Sequence, residues 1–356
     1  SEMEIFMKLC PCRIFAVTGS DGKTTTTTII SELLKAQGYT VHLGGNIGRP
    51  LLCDVDDMGK DDAAVLELSS FQLHSMVCKP NVAVITNVSP NHLDKHKDYQ
   101  DYIDAKSSIF SYQDEHDRLV LNHENEFTPY YAEKAKSDIA YFSRTVKPEN
   151  GVYCAGGMIY RVHGGKAELI MPADDIKLPG THNLENYMAA FAATDGYVDD
   201  NTCIAVAKSF AGVEHRLEQV RVLNGVTYIN DSIGTSPTRT AAGLHALKTN
   251  PILIAGGYDK HIPFDELGDE ICLHVKKLYL TGATTEKIYD AVINSKYYDG
   301  KLPIEKIDDF KEAVLAAANA AQDGDIVLLS PACAAFDKFK NFMERGKYFK
   351  QIVMEL

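Results

Sequence analysis

Between the apolar run Ile14-Phe15-Ala16-Val17 and a threonine-rich segment over 25–37 lies Thr18-Gly19-Ser20-Asp21-Gly22-Lys23-Thr24-Thr25. The run reads as a buried strand, the two close glycines as a sharp turn, and the segment after them as a helix. A strand, a glycine turn and a helix in that order open an α/β fold built on a parallel sheet, which leaves few alternatives. The same order gathers backbone N–H groups, a helix N-terminus and the ammonium of Lys23 around one point, an arrangement that suits a nucleotide's phosphates. The full phosphate-loop pattern has another glycine five positions before Gly22, where this chain has Val17, so the loop is a shortened one. Gly19 and Gly22 make the turn, Lys23 neutralises β- and γ-phosphates, the Thr24 hydroxyl is a Mg²⁺ ligand, and Thr25 continues the helix start; ATP is the expected nucleotide.

Short apolar runs recur at 14–17, 40–43, 63–68, 82–85, 119–121 and 139–142, alternating with helical patterns. That rhythm predicts a P-loop-type, mostly parallel sheet covered by helices. Gly-punctuated alternation over 151–170 predicts a small antiparallel appendage, and a helix pair follows at 183–194 and 202–210. A second α/β series begins after it, with strands at 226–229, 252–255, 277–280 and 326–329 and helices at 239–247, 286–293 and 310–321. The expected division is a central nucleotide-binding domain over 1–212 and a Rossmann-like domain over 213–356.

The net charge of -13 excludes a nucleic-acid surface, because affinity for polyanions comes from Lys and Arg neutralising phosphates. No stretch has the length and apolarity of a membrane span. Eight irregularly spaced cysteines read as reduced thiols of a cytoplasmic protein, expected to be a monomer. Cys10-Pro11-Cys12 is the one close pair, and with no second pair beside it a metal site is disfavoured.

Glu67 ends the apolar run Ala63-Ala64-Val65-Leu66, at the carboxyl edge where parallel sheets place ligands. It reads there as a metal-binding carboxylate or as a solvated charge, and spacing leaves both open. The run over 82–85 exits into Asn87, His92 and Asp94, a second polar cluster suited to metal or substrate.

Taken together, Thr18-Gly-Ser-Asp-Gly-Lys-Thr-Thr25, Gly44-Gly-Asn46, Glu67-Leu-Ser-Ser-Phe-Gln-Leu73, Asn87 with His92-Leu-Asp94, and Gly180-Thr-His-Asn183 with Asn186 resemble the ATP-dependent Mur ligases. His215-Arg216, Asn230-Asp-Ser232, Gly256-Gly-Tyr-Asp-Lys260 and Ser330-Pro-Ala-Cys-Ala-Ala-Phe-Asp337 continue the resemblance in the family's order. It implies an amide ligase of peptidoglycan precursor synthesis. ATP would convert a carboxylate to an acyl phosphate that an amino acid's amine then attacks. Within the family the closest likeness is to D-glutamate-adding members, so the implied substrates are ATP, D-glutamate and UDP-N-acetylmuramoyl-L-alanine. Carried over by the resemblance, Lys23, Thr24 and Glu67 handle phosphates and a first Mg²⁺, with Asn46 nearby; Asn183 and Asn186 contact the nucleotide, and Arg216 and Asp231 approach it from the second domain. Lys106 falls where the family has a carbamylated lysine, an anion that would hold a second Mg²⁺ with His92. Lys260, Ser330 and Phe336, with Thr235, would bind D-glutamate.

The chain departs from the family's commonest patterns at Ser20-Asp21, at Asn91 before His92, and at Ile233, where a lysine is usual after Asn-Asp-Ser. Family members also carry an N-terminal α/β domain for the UDP-sugar, whereas the phosphate-loop strand here starts near residue 13. The stretch as given is therefore expected to bind Mg²⁺-ATP and to be weak or inactive as a ligase. Two alternatives stay open, another Mur-type or folylpolyglutamate-type amino-acid ligase, and a nucleotide-binding module without ligase activity.

Overall fold

The structure, a computed structural model, describes residues 1–47, 50–89, 97–178, 180–247 and 249–356. The chain forms two compact units, Ser1–Ala211 and Gly212–Leu356.

The first unit runs α1 (Glu2–Leu9), β1 (Arg13–Thr18), α2 (Lys23–Gln37), β2 (Val41–Gly45), β3 (Ala63–Glu67), α3 (Ser70–Leu73), β4 (Val82–Ile85), α4 (Tyr99–Ser107), β5 (Arg118–Asn122), α5 (Thr128–Lys134) and β6 (Asp138–Ser143). It closes with β7 (Gly151–Ala155), β8 (Met158–His163), β9 (Lys166–Pro172), α6 (Thr181–Ala193) and α7 (Asp200–Ser209). One nine-stranded sheet has the order β2-β3-β1-β4-β5-β6-β7-β8-β9. Pairing is parallel from β2 through β7 and antiparallel between β7, β8 and β9. The antiparallel strands expected as an appendage thus extend the main sheet, joined to it by the parallel β6–β7 pair.

Strand residues are apolar on both faces because helices cover both. Phe15 and Val17 pack with Ile30 and Leu33 of α2 and Phe191 of α6, while Ile14 and Ala16 pack on the other face with Phe6 of α1, Tyr102 of α4 and Tyr131 of α5. β1 lies between β3 and β4, so the connections lead first to one side of it and then to the other, leaving a switch point at its carboxyl end. Open parallel sheets form their ligand crevice at such a switch point.

The second unit contains β10 (Glu218–Leu223), β11 (Val226–Asn230), α8 (Pro237–His245), β12 (Ile252–Ala255), α9 (Asp265–His274), β13 (Lys277–Leu280), α10 (Thr285–Ile293), β14 (Ile304–Lys306), α11 (Phe310–Ala320), β15 (Ile326–Leu329) and α12 (Phe342–Glu355). Its sheet order is β10-β11-β15-β12-β13-β14, parallel except for the β10–β11 hairpin. The hairpin turns on Asn224 and Gly225, both at positive φ (50° and 77°), the Asn-Gly pair that such two-residue turns favour. Leu253 and Ala255 face the core under α8, α9 and α10; Ile252 and Ile254 face the core under α11 and α12.

Candidate functional site

In the first unit, β1 ends at Thr18 and the chain turns at Gly19–Gly22 into α2. Both glycines are required by space as well as by φ. A Cβ on Gly19 (φ 150°) would sit 1.9 Å from Thr86 Oγ1, and one on Gly22 (φ 76°) would sit 2.3 Å from Asn186 Oδ1. No side chain caps the N-terminus of α2, which leaves its first N–H groups for a ligand. Lys23 Nζ folds back to donate to the carbonyls of Gly19 (2.9 Å) and Ser20 (2.8 Å). The threonines tolerate a helix because Thr27 and Thr28 donate to the carbonyls of Lys23 and Thr24, one turn back.

Glu67 terminates β3 beside this loop and is buried. Its Oε2 accepts from Thr24 Oγ1 (2.6 Å) and its Oε1 from Asn46 Nδ2 (2.9 Å), while Asn46 N–H donates to the Glu67 carbonyl. Glu67 makes no ion pair with a described residue, and hydrogen bonds from Thr24 and Asn46 hold its carboxyl group. Thr26 Oγ1 donates to Asn186 Oδ1 (3.2 Å), and Asn186 Nδ2 donates to Asn183 Oδ1, which brings the start of α6 against the phosphate turn. Thr25 is buried in the first turn of α2. From β4, Asn87 accepts from the Asp21 N–H (2.8 Å) and fixes the loop's far side.

Lys106, on α4, is only 1 % exposed. Among the described residues its ammonium lies 4.3 Å from the ring centroid of Tyr102, whose hydroxyl is 2.8 Å from Ser20 Oγ, and it meets no carboxylate. Burial, and then the charge of Lys23, hold its pKa well below the usual lysine range. His92, with Asn91 and Asp94, lies outside the described residues.

In the second unit the carboxyl ends of β11, β12 and β15 converge. Asp231, just past β11, is 4 % exposed; its Oδ2 accepts from Ser330 Oγ (2.7 Å) and its Oδ1 from the Leu217 N–H (3.2 Å). Burial raises its pKa to about 6, against the lowering effect of those hydrogen bonds and of the Arg216 and Arg239 charges. Ser330 is fully buried and its hydroxyl also meets Thr240 Oγ1 (2.9 Å), so that hydroxyl is spent on positioning Asp231. Lys260 Nζ donates to the Thr235 carbonyl (2.9 Å), uniting two of the expected glutamate-site residues. Its pKa is lowered by burial first and then by Arg239. Phe336 is 65 % exposed, edge-on to Tyr258 at 5.9 Å, and a bridge between Tyr258 and Ala334 ties the 256–260 and 330–337 loops together. Arg216 is exposed and flanked by His215 and Leu217 at positive φ.

Two family models match the chain, the Mur ligase middle domain over residues 17–194 and the Mur ligase glutamate ligase domain over residues 215–333. The chain belongs to the Mur ligase family. Among its relatives, the UDP-N-acetylmuramoylalanine--D-glutamate ligase of Acetivibrio thermocellus is 53% identical over 356 residues, covering 99% of this chain and 76% of the relative. The enzyme of the same name from Ruminiclostridium cellulolyticum is 50% identical, covering 100% and 77%. Among solved structures, MurF ligase from Thermotoga maritima in complex with ADP superposes with TM-score 0.64 at 18% identity, covering 99% of this chain and 82% of that one. FolC from E. coli, in complex with DHPP and ADP, gives 0.68 at 16%, covering 99% and 92%. These two likenesses establish the fold.

The Mur ligase site tests well against the groups its chemistry needs. Thr24 and Glu67 present hard oxygen donors 2.6 Å apart in a buried corner where no described residue pairs with Glu67 as a cation, which suits Mg²⁺. The uncapped start of α2 suits phosphate oxygens. Two functional side chains escaped the sequence reading. Arg239 on α8 adds a second cation beside Lys260, and Arg345 on α12 is buried among the loops. Arg345 Nε donates to Ser232 Oγ (3.0 Å), Nη2 to the carbonyls of Ser232 (3.0 Å) and Cys333 (3.0 Å), and Nη1 to that of Ala334 (3.2 Å). The signal was Arg345-Gly346. A Cβ on Gly346 would lie 2.2 Å from His215 Nδ1, so α12 packs there at backbone distance.

Proposed function

We propose that this chain is an ATP-dependent ligase that joins D-glutamate to UDP-N-acetylmuramoyl-L-alanine through an acyl phosphate. The observation that carries the reading is a phosphate turn backed by the buried Thr24–Glu67–Asn46 cluster, in a chain 53% identical to a D-glutamate ligase. The turn's N–H groups and Lys23 bind the triphosphate, and Lys23 swings from the Gly19 and Ser20 carbonyls to the phosphates when they arrive. Glu67 and Thr24 would hold Mg²⁺, which withdraws charge from the transferring phosphoryl group. Asn46 orients the Glu67 carboxylate, and Asn183 and Asn186 steady the nucleotide side of the loop.

Lys106 is assigned to carbamylation. What supports this is a lysine packed in the interior against Tyr102 that makes no ion pair with a described residue, since only the neutral amine adds CO₂ and burial, opposed by the Asp21 charge, favours that form. The carbamate, with His92, would hold a second Mg²⁺. For D-glutamate, Lys260 and Arg239 supply two cations for two carboxylates, Thr235 lines the same spot, and Phe336 offers an exposed apolar wall. Ser330 acts by holding Asp231, which together with Arg216 would meet the nucleotide.

The test is phosphate release from ATP by the purified protein with D-glutamate and UDP-N-acetylmuramoyl-L-alanine. Release that needs both substrates is expected, and Lys23→Ala is expected to abolish it with the melting curve unchanged. Equal release when L-glutamate or glycine replaces D-glutamate would refute the substrate assignment.

A further inference from the structure

We propose that Cys10 and Cys12 form a dithiol–disulfide site that hydroperoxides oxidise, with Cys10 as the attacking sulfur and Cys12 as the resolving one. The two sulfurs are 3.3 Å apart, inside van der Waals separation, and no other pair of cysteines in the chain is hydrogen-bonded. The positions are held from both sides. Cys10 caps the C-terminus of α1, its N–H bonded to the Phe6 carbonyl, and Cys12 directly precedes β1. Cys10 is half-buried whereas Cys12 is buried, so a peroxide reaches Cys10 first. His42 on β2, itself bonded to Asp62 (2.9 Å), lies close enough to Cys10 to favour its thiolate.

The Cys12 thiol, hydrogen-bonded to Cys10, is the main cause that brings the Cys10 pKa down to about 7, against the opposing effect of burial; the Cys12 thiol is correspondingly raised. More of Cys10 is then thiolate at neutral pH than of an ordinary thiol, although the weaker basicity takes back part of that gain. Proximity does more. A resolving thiol held in contact reacts at an effective concentration no free thiol reaches.

The chemistry balances with a hydroperoxide as sole oxidant. Cys10 thiolate attacks the terminal peroxide oxygen, the O–O bond breaks, and the alkoxide leaves as the alcohol with a proton, giving a sulfenic acid on Cys10. Cys12 sulfur then attacks that sulfur, the S–O bond breaks, and hydroxide leaves as water with the Cys12 proton. Two thiols and one hydroperoxide become one disulfide, one alcohol and one water. A single intervening residue makes a small, strained ring, which a cellular dithiol reduces readily.

Trypsin cleavage after Lys8 and Arg13 leaves both cysteines on the peptide 9–13. The purified protein treated with equimolar tert-butyl hydroperoxide, alkylated and digested, is expected to yield that peptide lighter by about 2 Da than its reduced, unalkylated form, for the two lost hydrogens. Dithiothreitol before alkylation is expected to restore both alkylation sites. Cys12→Ser is expected to trap a dimedone-reactive sulfenic acid on Cys10, and Cys10→Ser to leave Cys12 unreacted. The proposal is overturned if both thiols on the peptide stay free while exposed Cys53 oxidises, if Cys10 pairs elsewhere, or if Cys12 oxidises equally well in Cys10→Ser.

Discussion

Asp231→Asn is expected to stabilise the second unit at neutral and alkaline pH while costing activity. Burial raises the Asp231 pKa from 3.8 to about 6, so the folded state prefers its neutral form. An acid with a raised pKa binds its proton more tightly folded than unfolded, so stability falls as pH rises from about 4 to about 6 and stays lowered above that. The full cost is about 3 kcal/mol at about pH 8 and about half as much at about pH 5. An amide fits the same contacts without the charge. Its Oδ1 can accept the Leu217 N–H, and its Nδ2 can donate to Ser330 Oγ, which in turn donates to Thr240 Oγ1. Removing the charge is thus expected to stabilise the unit by up to about 3 kcal/mol at about pH 8, a gain of roughly 6–10 °C for a unit of this size. Differential scanning calorimetry of both proteins at about pH 8 and about pH 5 reads the gap, which should shrink by about 1.5 kcal/mol at the lower pH. A variant equally or less stable than its parent at both pH values would falsify the burial argument. Steady-state turnover of the same variant should drop at least about tenfold, the ordinary exchange of stability for function at a strained site.

Lys106→Met should raise the melting temperature of the first unit, because a buried amine packed against Tyr102 is replaced by an apolar chain of similar length, and should remove ligase turnover; a stable, active variant would exclude any role for Lys106. Lys260→Ala should raise the KM for D-glutamate about tenfold or more and that for ATP little, and equal effects would move Lys260 to the nucleotide. Arg345→Met leaves the buried Ser232 and Cys333 carbonyls without their donor and the Ala334 carbonyl with the Tyr258 N–H alone, so chemical denaturation should show a loss of about 3–5 kcal/mol in the second unit; a loss under about 1 kcal/mol would show that the loops hold themselves.

What the sequence made legible was local. The strands at Val82–Ile85, Ile252–Ala255 and Ile326–Leu329 match their apolar runs end to end, because each is buried on both faces and its boundary is where polarity begins. Glycines announced the phosphate turn because no residue with a Cβ fits against Thr86 and Asn186. Elements with mixed composition stayed hidden. β10 alternates charged and apolar residues at a sheet edge, although Asn224-Gly225 marked its turn, and α12 carries Glu, Arg and Lys through its length. For the site, sequence alone left Glu67 between ligand and solvated charge. Burial beside Thr24 and Asn46 decides against solvation.

The hidden elements matter because they carry the supports of the second unit's site. Asp231 and Ser330 sit on different strands' ends, and a hydrogen bond between two loop residues cannot by itself fix both loops. Arg345 supplies the missing constraint from α12, with one planar guanidinium reaching Ser232 next to Asp231 and Cys333 and Ala334 after Ser330. Burial draws its pKa down to about 10, so it remains charged at neutral pH and its hydrogen bonds stay charge-assisted. A lysine at that position could reach one or two of those carbonyls but lacks the fork that spans both loops. Arg345 on the Cys333 and Ala334 carbonyls, together with the Gly256 N–H on the Pro331 carbonyl and the Tyr258 N–H on that of Ala334, pins both sides of Ala332 and so holds its positive φ of 60°, a conformation that an alanine left to itself would relax.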